Sequence, residues 1–113
     1  MTRTHRVLDV LRMYSGDVSG LTASQITERL GSARATAYRC ISDLEACGLL
    51  ERSNEGTYVL GPTIVELDRR IRLSDPLIHA AQPLMEELRD RTGGAVLLCR
   101  VHGHKVMCVH QCS

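Results

Sequence analysis

Two groups of residues in this chain could do chemistry, and they lie far apart in sequence. The first is SARATAYRCIS, residues 32–42, where Arg34, Ala35, Tyr38, Arg39 and Ser42 fall on or beside one side of a helical pattern. A forked guanidinium can grip a phosphate or read the edge of guanine, and tyrosine and serine hydroxyls can reach phosphate oxygens. The second is the tail, where Cys99, His102, His104, Cys108, His110 and Cys112 crowd into fourteen residues. Thiolate and imidazole are the ligands zinc and copper favour. Strand alternation would place Cys108, His110 and Cys112 on one face, yet no Cys-x-x-Cys knuckle is present. Neighbours on one strand face rarely converge on a tetrahedron, so the plainer reading is small core cysteines and exposed turn histidines, with no metal or other cofactor.

The elements that must position the first group run from Leu21 to Leu60. Thr22 and Gln25 form the pattern of a capping box at the start of one helix, with Ile26 and Leu30 on its apolar face. Gly31 reads as its left-handed stop, and Ser32 as the cap of the next helix, about 33–46. So short a joint forces a steep crossing, which is helix-turn-helix geometry. In the second helix Ala37, Cys40, Ile41 and Leu44 should face the core. Gly48 ends it. Leu49 to Arg52 and Thr57 to Leu60 then predict two short strands around Ser53-Asn54-Glu55-Gly56, a wing that carries Arg52 and Thr57.

The segment GSARATAYRCISDLEACGLLER resembles the recognition segment of the IclR family of bacterial transcriptional regulators. Thr36, Arg39, Gly48 and Leu49 fit the family pattern, whereas Ala35 stands where the family carries serine and so lacks that hydroxyl. The likeness continues through YVLGPTIVELDRR and PLMEELRDRTGGAVLLCRVHGHKVMCV, over nearly the whole chain. It implies a sequence-specific DNA-binding regulator, a repressor, acting as a homodimer or higher oligomer on double-stranded DNA in the cytoplasm. On that reading Thr22, Ser32, Arg34, Ala35, Thr36, Tyr38, Arg39, Ser42, Arg52 and Thr57 are the DNA-contacting set. Arg34 and Tyr38 face as readers, and Thr36 and Arg39 resemble phosphate anchors.

The rest of the chain frames this set. A helix over about 3–15, with Val7, Val10, Leu11 and Tyr14 on one face, should close a three-helix core; Arg3 and Arg6 on its first turns could touch a phosphate but read more simply as solvated. Gly61-Pro62 opens a further helix with a narrow stripe of Ile64, Leu67 and Ile71, better suited to a partner than to its own chain. Asp75-Pro76 begins another, to about Thr92, with Leu77, Ala80, Ala81, Leu84, Met85 and Leu88 inward and a kink or fresh start at Pro83. Ala95 to Val101 and Lys105 to Gln111 form a hairpin across His102-Gly103-His104. The expected fold is therefore mainly α with small β: a winged helix-turn-helix over 1–60, a linker and dimerisation helix over 61–75, and over 76–113 a helix plus two strands. That last part resembles only the beginning of the family's effector-binding domain. One helix and a hairpin cannot enclose a small molecule, so an effector would require the remaining C-terminal part.

Composition narrows the classes further. The chain has 113 residues and a formal net charge of +1. Within residues 1–60 seven arginines meet seven acids, so the expected reader is not basic overall, and any attraction to nucleic acid must be local. That balance leaves a second class open: a winged-helix interaction or dimerisation module that does not itself bind DNA tightly. Thirteen of the fourteen cations are arginine, which suits bidentate contacts. No apolar run approaches the roughly 20 residues of a membrane span, and the first residues lack the apolar stretch of a secretory signal. Five cysteines without a framework pattern read as reduced thiols. Cys40 and Cys47 read as packing residues; the C-terminal helix dipole near Cys47 does not favour a sensor thiolate. No nucleophile elbow, paired-carboxylate site or glycine-rich phosphate loop is present, which speaks against an enzyme.

Overall fold

The structure is a computed structural model that describes residues 2–113, with Arg3 described by its backbone alone; any phosphate contact of Arg3 thus falls outside it. In order the elements are α1 (Arg3–Arg12), α2 (Ala23–Leu30), α3 (Arg34–Ala46), β1 (Leu50–Arg52), β2 (Tyr58–Leu60), α4 (Pro62–Ser74), α5 (Pro76–Thr92), β3 (Val96–His102) and β4 (Lys105–Cys112). The chain divides into two compact units, residues 1–67 and 68–113, with the division inside α4.

The first unit is a winged helix-turn-helix. Its core is Val10, Leu21, Ile26, Cys40, Ile41, Leu44, Leu50 and Tyr58, with Val7, Leu11, Tyr14 and Leu30 packed at its margin. The expected faces of α1, α2 and α3 thus meet, as their periodicity required. The helix α1 ends at Arg12, three residues sooner than predicted. The Met13 and Tyr14 amides tighten back onto Val10 and Leu11, and Gly16 then turns with φ +53°. This turn lets the Tyr14 hydroxyl donate to the Tyr58 carbonyl at 2.7 Å, tying the end of α1 to the wing. Partial burial raises the Tyr14 phenol from 10.0 to about 12, so it remains a neutral donor.

The strands β1 and β2 pair antiparallel, Leu50 opposite Leu60 and Arg52 opposite Tyr58, and Leu21 adds one bridge to Tyr58. Behind the wing lies a close junction. The helix α3 ends in a Schellman motif: Leu49 N–H bonds the Leu44 carbonyl at 2.9 Å and Gly48 N–H that of Glu45 at 3.1 Å, with Gly48 at φ +75°. The start of α4 then docks on this cap. Thr63 donates its hydroxyl to the Cys47 carbonyl at 2.7 Å and its amide to the Gly48 carbonyl at 3.0 Å. A Cβ at Gly61 would collide with the Gly48 carbonyl oxygen, so only glycine allows the approach.

In the second unit α5 packs on the antiparallel hairpin β3–β4. Asp75 caps α5 by accepting from the Leu77 amide at 2.9 Å, and Pro76 occupies the first helical position. The helix then runs unbroken through Pro83, without the fresh start expected there. Its inward face also differs from expectation. Ile78 and Met85 are buried and Ala81 half-buried, whereas Leu77, Ala80, Leu84 and Leu88 are exposed. Two apolar stripes compete on this helix, and polar anchors choose between them. Gln82 and Arg89, each one turn beyond Ile78 and Met85, bond the His110 imidazole and the Cys112 sulfur of β4. Those bonds hold the Ile78–Met85 stripe against the hairpin. The hairpin turn is shorter than expected, with His102 paired to Lys105 and Gly103 at φ +59°.

Candidate nucleic-acid interface

The buried side of α3, Ala37, Cys40, Ile41 and Leu44, rests on α1, α2 and β1. That anchorage leaves Arg34, Ala35, Tyr38, Arg39 and Ser42 exposed together, with Thr36 half-exposed at the margin. Arg34 and Tyr38, one turn apart, are already engaged with each other. The Arg34 Nη2 donates to the Tyr38 hydroxyl at 3.3 Å, and its guanidinium carbon lies 5.3 Å from the ring centroid. Arg39 has no partner among the described residues and is free to meet an anion.

Ser32 does not cap α3. The N-cap is Ala33, which offers no side-chain acceptor, and the Ser32 hydroxyl instead donates to the Ala33 carbonyl at 3.1 Å. The joint after Gly31 (φ +66°) is one residue longer than the sequence implied, which moves serine off the capping position. The consequence is chemical. The first amides of α3, at Arg34, Ala35 and Thr36, are left without an intrahelical acceptor at the positive end of the helix dipole. Ala35 lacks a hydroxyl but keeps this amide. By contrast α2 has its capping box: Thr22 Oγ1 accepts from the Gln25 amide at 3.1 Å and Gln25 Oε1 from the Thr22 amide at 2.8 Å. The Ala23 and Ser24 amides remain open beside it.

The wing residues are more committed. Arg52 hydrogen-bonds the Tyr58 hydroxyl and lies 5.2 Å above that ring, an arrangement that raises its already high pKa. Thr57 exchanges a 2.8 Å hydrogen bond with Ser53 across the turn. Both therefore shape the wing first and can offer an outside contact only with their remaining donors. The sequence singled out Arg34 and Tyr38 as readers but not as partners of each other; their pairing follows from i,i+4 spacing on one helix face.

The Cys/His tail does not converge. A bulge in the hairpin sets Leu98 opposite His110 but Cys99 opposite Cys108, leaving Val109 unpaired and breaking the alternation. His110 and Cys112 turn to Gln82 and Arg89, Cys108 is exposed, and no three His, Cys, Asp or Glu side chains among the described residues could hold a metal ion together.

Residues 4–54, the three helices and the first half of the wing, match the IclR helix-turn-helix domain. The chain thus carries the helix-turn-helix domain of IclR-family transcriptional regulators. It is 32% identical over 107 residues to the HTH-type transcriptional regulator Rv1719 of Mycobacterium tuberculosis, covering 94% of this chain and 40% of that protein. It is 29% identical to the Pca regulon regulatory protein of Pseudomonas putida, covering 95% of this chain and 36% of that one. The chain thus spans about two-fifths of the curated relatives it matches. Among solved structures, an IclR homologue from Microbacterium hydrocarbonoxydans complexed with 4-hydroxybenzoate superposes with a TM-score of 0.76 at 27% identity, over 99% of this chain and 47% of that one. An IclR-family regulator from Brucella abortus shares the fold, with a TM-score of 0.82 at 24% identity, over 99% and 43%. These relatives are regulators of transcription, not enzymes. No helix among the described residues is long and apolar enough to cross a membrane.

Proposed function

We propose that this IclR-family chain binds double-stranded DNA sequence-specifically as a homodimer and represses transcription where its site overlaps a promoter. The helix α3 enters the major groove by its N-terminal half. Arg34 and Tyr38 face the bases; Arg39, Thr36 and Ser42 meet phosphates. The open amides at the starts of α2 and α3, beside Thr22, Ser32 and Ala35, donate to phosphate oxygens. Arg52 and Thr57 bring the wing against the backbone.

The observation that carries this reading is the division of α3 into a fully buried face and an exposed face of two arginines, a tyrosine and hydroxyls above an uncapped N-terminus. Residues 61–75 serve as the linker that pairs two copies, supported by the exposure of Val65, Leu67, Ile71 and Leu73 along α4. Residues 76–113 correspond to the start of an effector-binding domain, and a small-molecule effector is a property of a chain carrying the rest of that domain.

The test is Arg39→Ala. Binding should weaken on every sequence, and the slope of log affinity against log salt should fall by about one. An unchanged slope removes Arg39 from the phosphate contacts. The balanced charge of residues 1–60 favours the interaction-module reading instead; binding that fails to fall with salt would support it.

A further inference from the structure

We propose that Arg34 and Tyr38 act as one unit that selects a guanine in each half-site, with Arg34 as the reader and Tyr38 as its positioning residue. This rests on the DNA-binding reading above and names the base class that its readers take. The pair is preassembled: guanidinium over ring at 5.3 Å, and Nη2 donating to the phenol oxygen at 3.3 Å. A free surface arginine must surrender its rotamer freedom to read a base; here the stack has already restricted it.

The donor inventory then decides what the pair can read. One of the five guanidinium N–H groups is held by Tyr38, and the others remain available. The Tyr38 oxygen accepts from Arg34, so its own hydrogen is free to donate. The unit therefore presents N–H and O–H donors outward. Guanine alone offers two adjacent acceptors, N7 and O6, on the major-groove edge; adenine pairs its N7 with an amine donor, thymine pairs O4 with a methyl group, and cytosine offers a donor.

A neighbouring carboxylate separates base reading from phosphate anchoring. Glu28 lines the same shallow cavity of about 270 Å³ as Arg34 and Tyr38, together with Ser24 and Thr27. A carboxylate there repels a phosphate from this spot, while Arg39 stands elsewhere on α3 without a partner among the described residues. The two arginines are thus chemically sorted, one toward a base and one toward the backbone.

The experiment is selection of duplexes from a randomised pool by the full chain, followed by affinities on the selected duplex and its single-base variants. Wild type should enrich a guanine in each half-site, and replacing it by adenine should weaken binding about 5- to 150-fold. Arg34→Ala should bind the guanine and adenine duplexes equally. Tyr38→Ala should retain the preference at a reduced ratio while its salt slope stays unchanged, and Tyr38→Phe, which keeps the stack, should fall between it and wild type. A guanine preference that survives Arg34→Ala overturns the assignment, as does a selected site without guanine. Equal losses on both duplexes in Tyr38→Ala overturn the positioning role. Failure to enrich any sequence with a folded protein, checked by circular dichroism, overturns the DNA-binding reading itself.

Discussion

The two units of this chain solve the problem of burial differently. In residues 1–67, three helices and a wing enclose nine described side chains that are each at most 5% exposed. In residues 68–113, only Ile78, Met85 and Cys112 are buried, at 5–6% exposure, while Leu77, Leu84, Leu88, Leu97, Val101, Val106 and Met107 stay exposed. The first unit therefore holds α3 against a complete core, as the proposed reading role requires. The second presents an apolar surface that its own residues do not cover, and its α5 is held in rotation by Gln82 and Arg89 rather than by volume.

The same substitution in both units tests this contrast most sharply. Leu44 is 1% exposed, and Leu44→Ala should cost about 2–5 kcal/mol, enough to unfold the winged unit or nearly so. The chain has no tryptophan, so denaturation followed by far-ultraviolet circular dichroism is the suitable measurement.

Gly48→Ala comes next. The left-handed backbone alone costs about 1–2 kcal/mol, and the new Cβ would also displace the Thr63 hydroxyl. Rescue of its unfolding midpoint by Thr63→Ala would confirm that crowding; no rescue would assign the whole loss to the backbone.

Tyr14→Phe should cost about 1 kcal/mol, because the Tyr58 carbonyl loses one of two donors and keeps only the Leu21 amide. It also carries a pH signature. The phenol is raised to about 12 in the folded state, so its contribution is fully present below pH 10 and is lost as pH rises from there toward 12. Wild-type stability should fall across that window, and Tyr14→Phe should fall less; parallel curves would contradict the clamp.

Thr22→Ala, which breaks the α2 capping box, should cost about 1 kcal/mol. Leu84→Ala stands at the end of the series. With Leu84 68% exposed, the monomer should change by no more than about 0.5 kcal/mol, one tenth to one quarter of the Leu44→Ala effect. A large loss there would show that this stripe is covered by a second copy in solution.

The sequence carried the first unit almost residue by residue because each element announced itself twice. The helix α2 had both a capping box and an apolar face, α3 had both a periodic core stripe and a glycine stop, and the wing had alternation and a Ser-Asn-Glu-Gly turn. Beyond the early end of α1 at Arg12, its misplacement there, Ser32 as a cap, concerned a single-residue offset in a joint where serine at either position looks alike. The second unit was harder. Its α5 carries more apolar positions than one face can bury, so periodicity alone could not say which stripe turns inward; Gln82 and Arg89 decided it through partners on β4. The bulge at Val109 left no sequence signal either, since no glycine or proline marks it, and it undid the expected shared face of Cys108 and His110. Of the reading face, the residue types and their exposure were foreseeable from spacing, whereas the Arg34–Tyr38 bond and the open α3 amides required coordinates.

The central claim is that α3 of the winged unit recognises DNA by sequence, and one titration tests it. The full chain is titrated with duplex from the region upstream of its own gene and with unrelated duplex, each across a range of salt. A preference of about a hundredfold or more for the upstream duplex, with affinity falling steeply as salt rises, is the expected result. A folded protein that binds neither duplex at low salt would contradict the claim and leave the winged unit as a protein-interaction module.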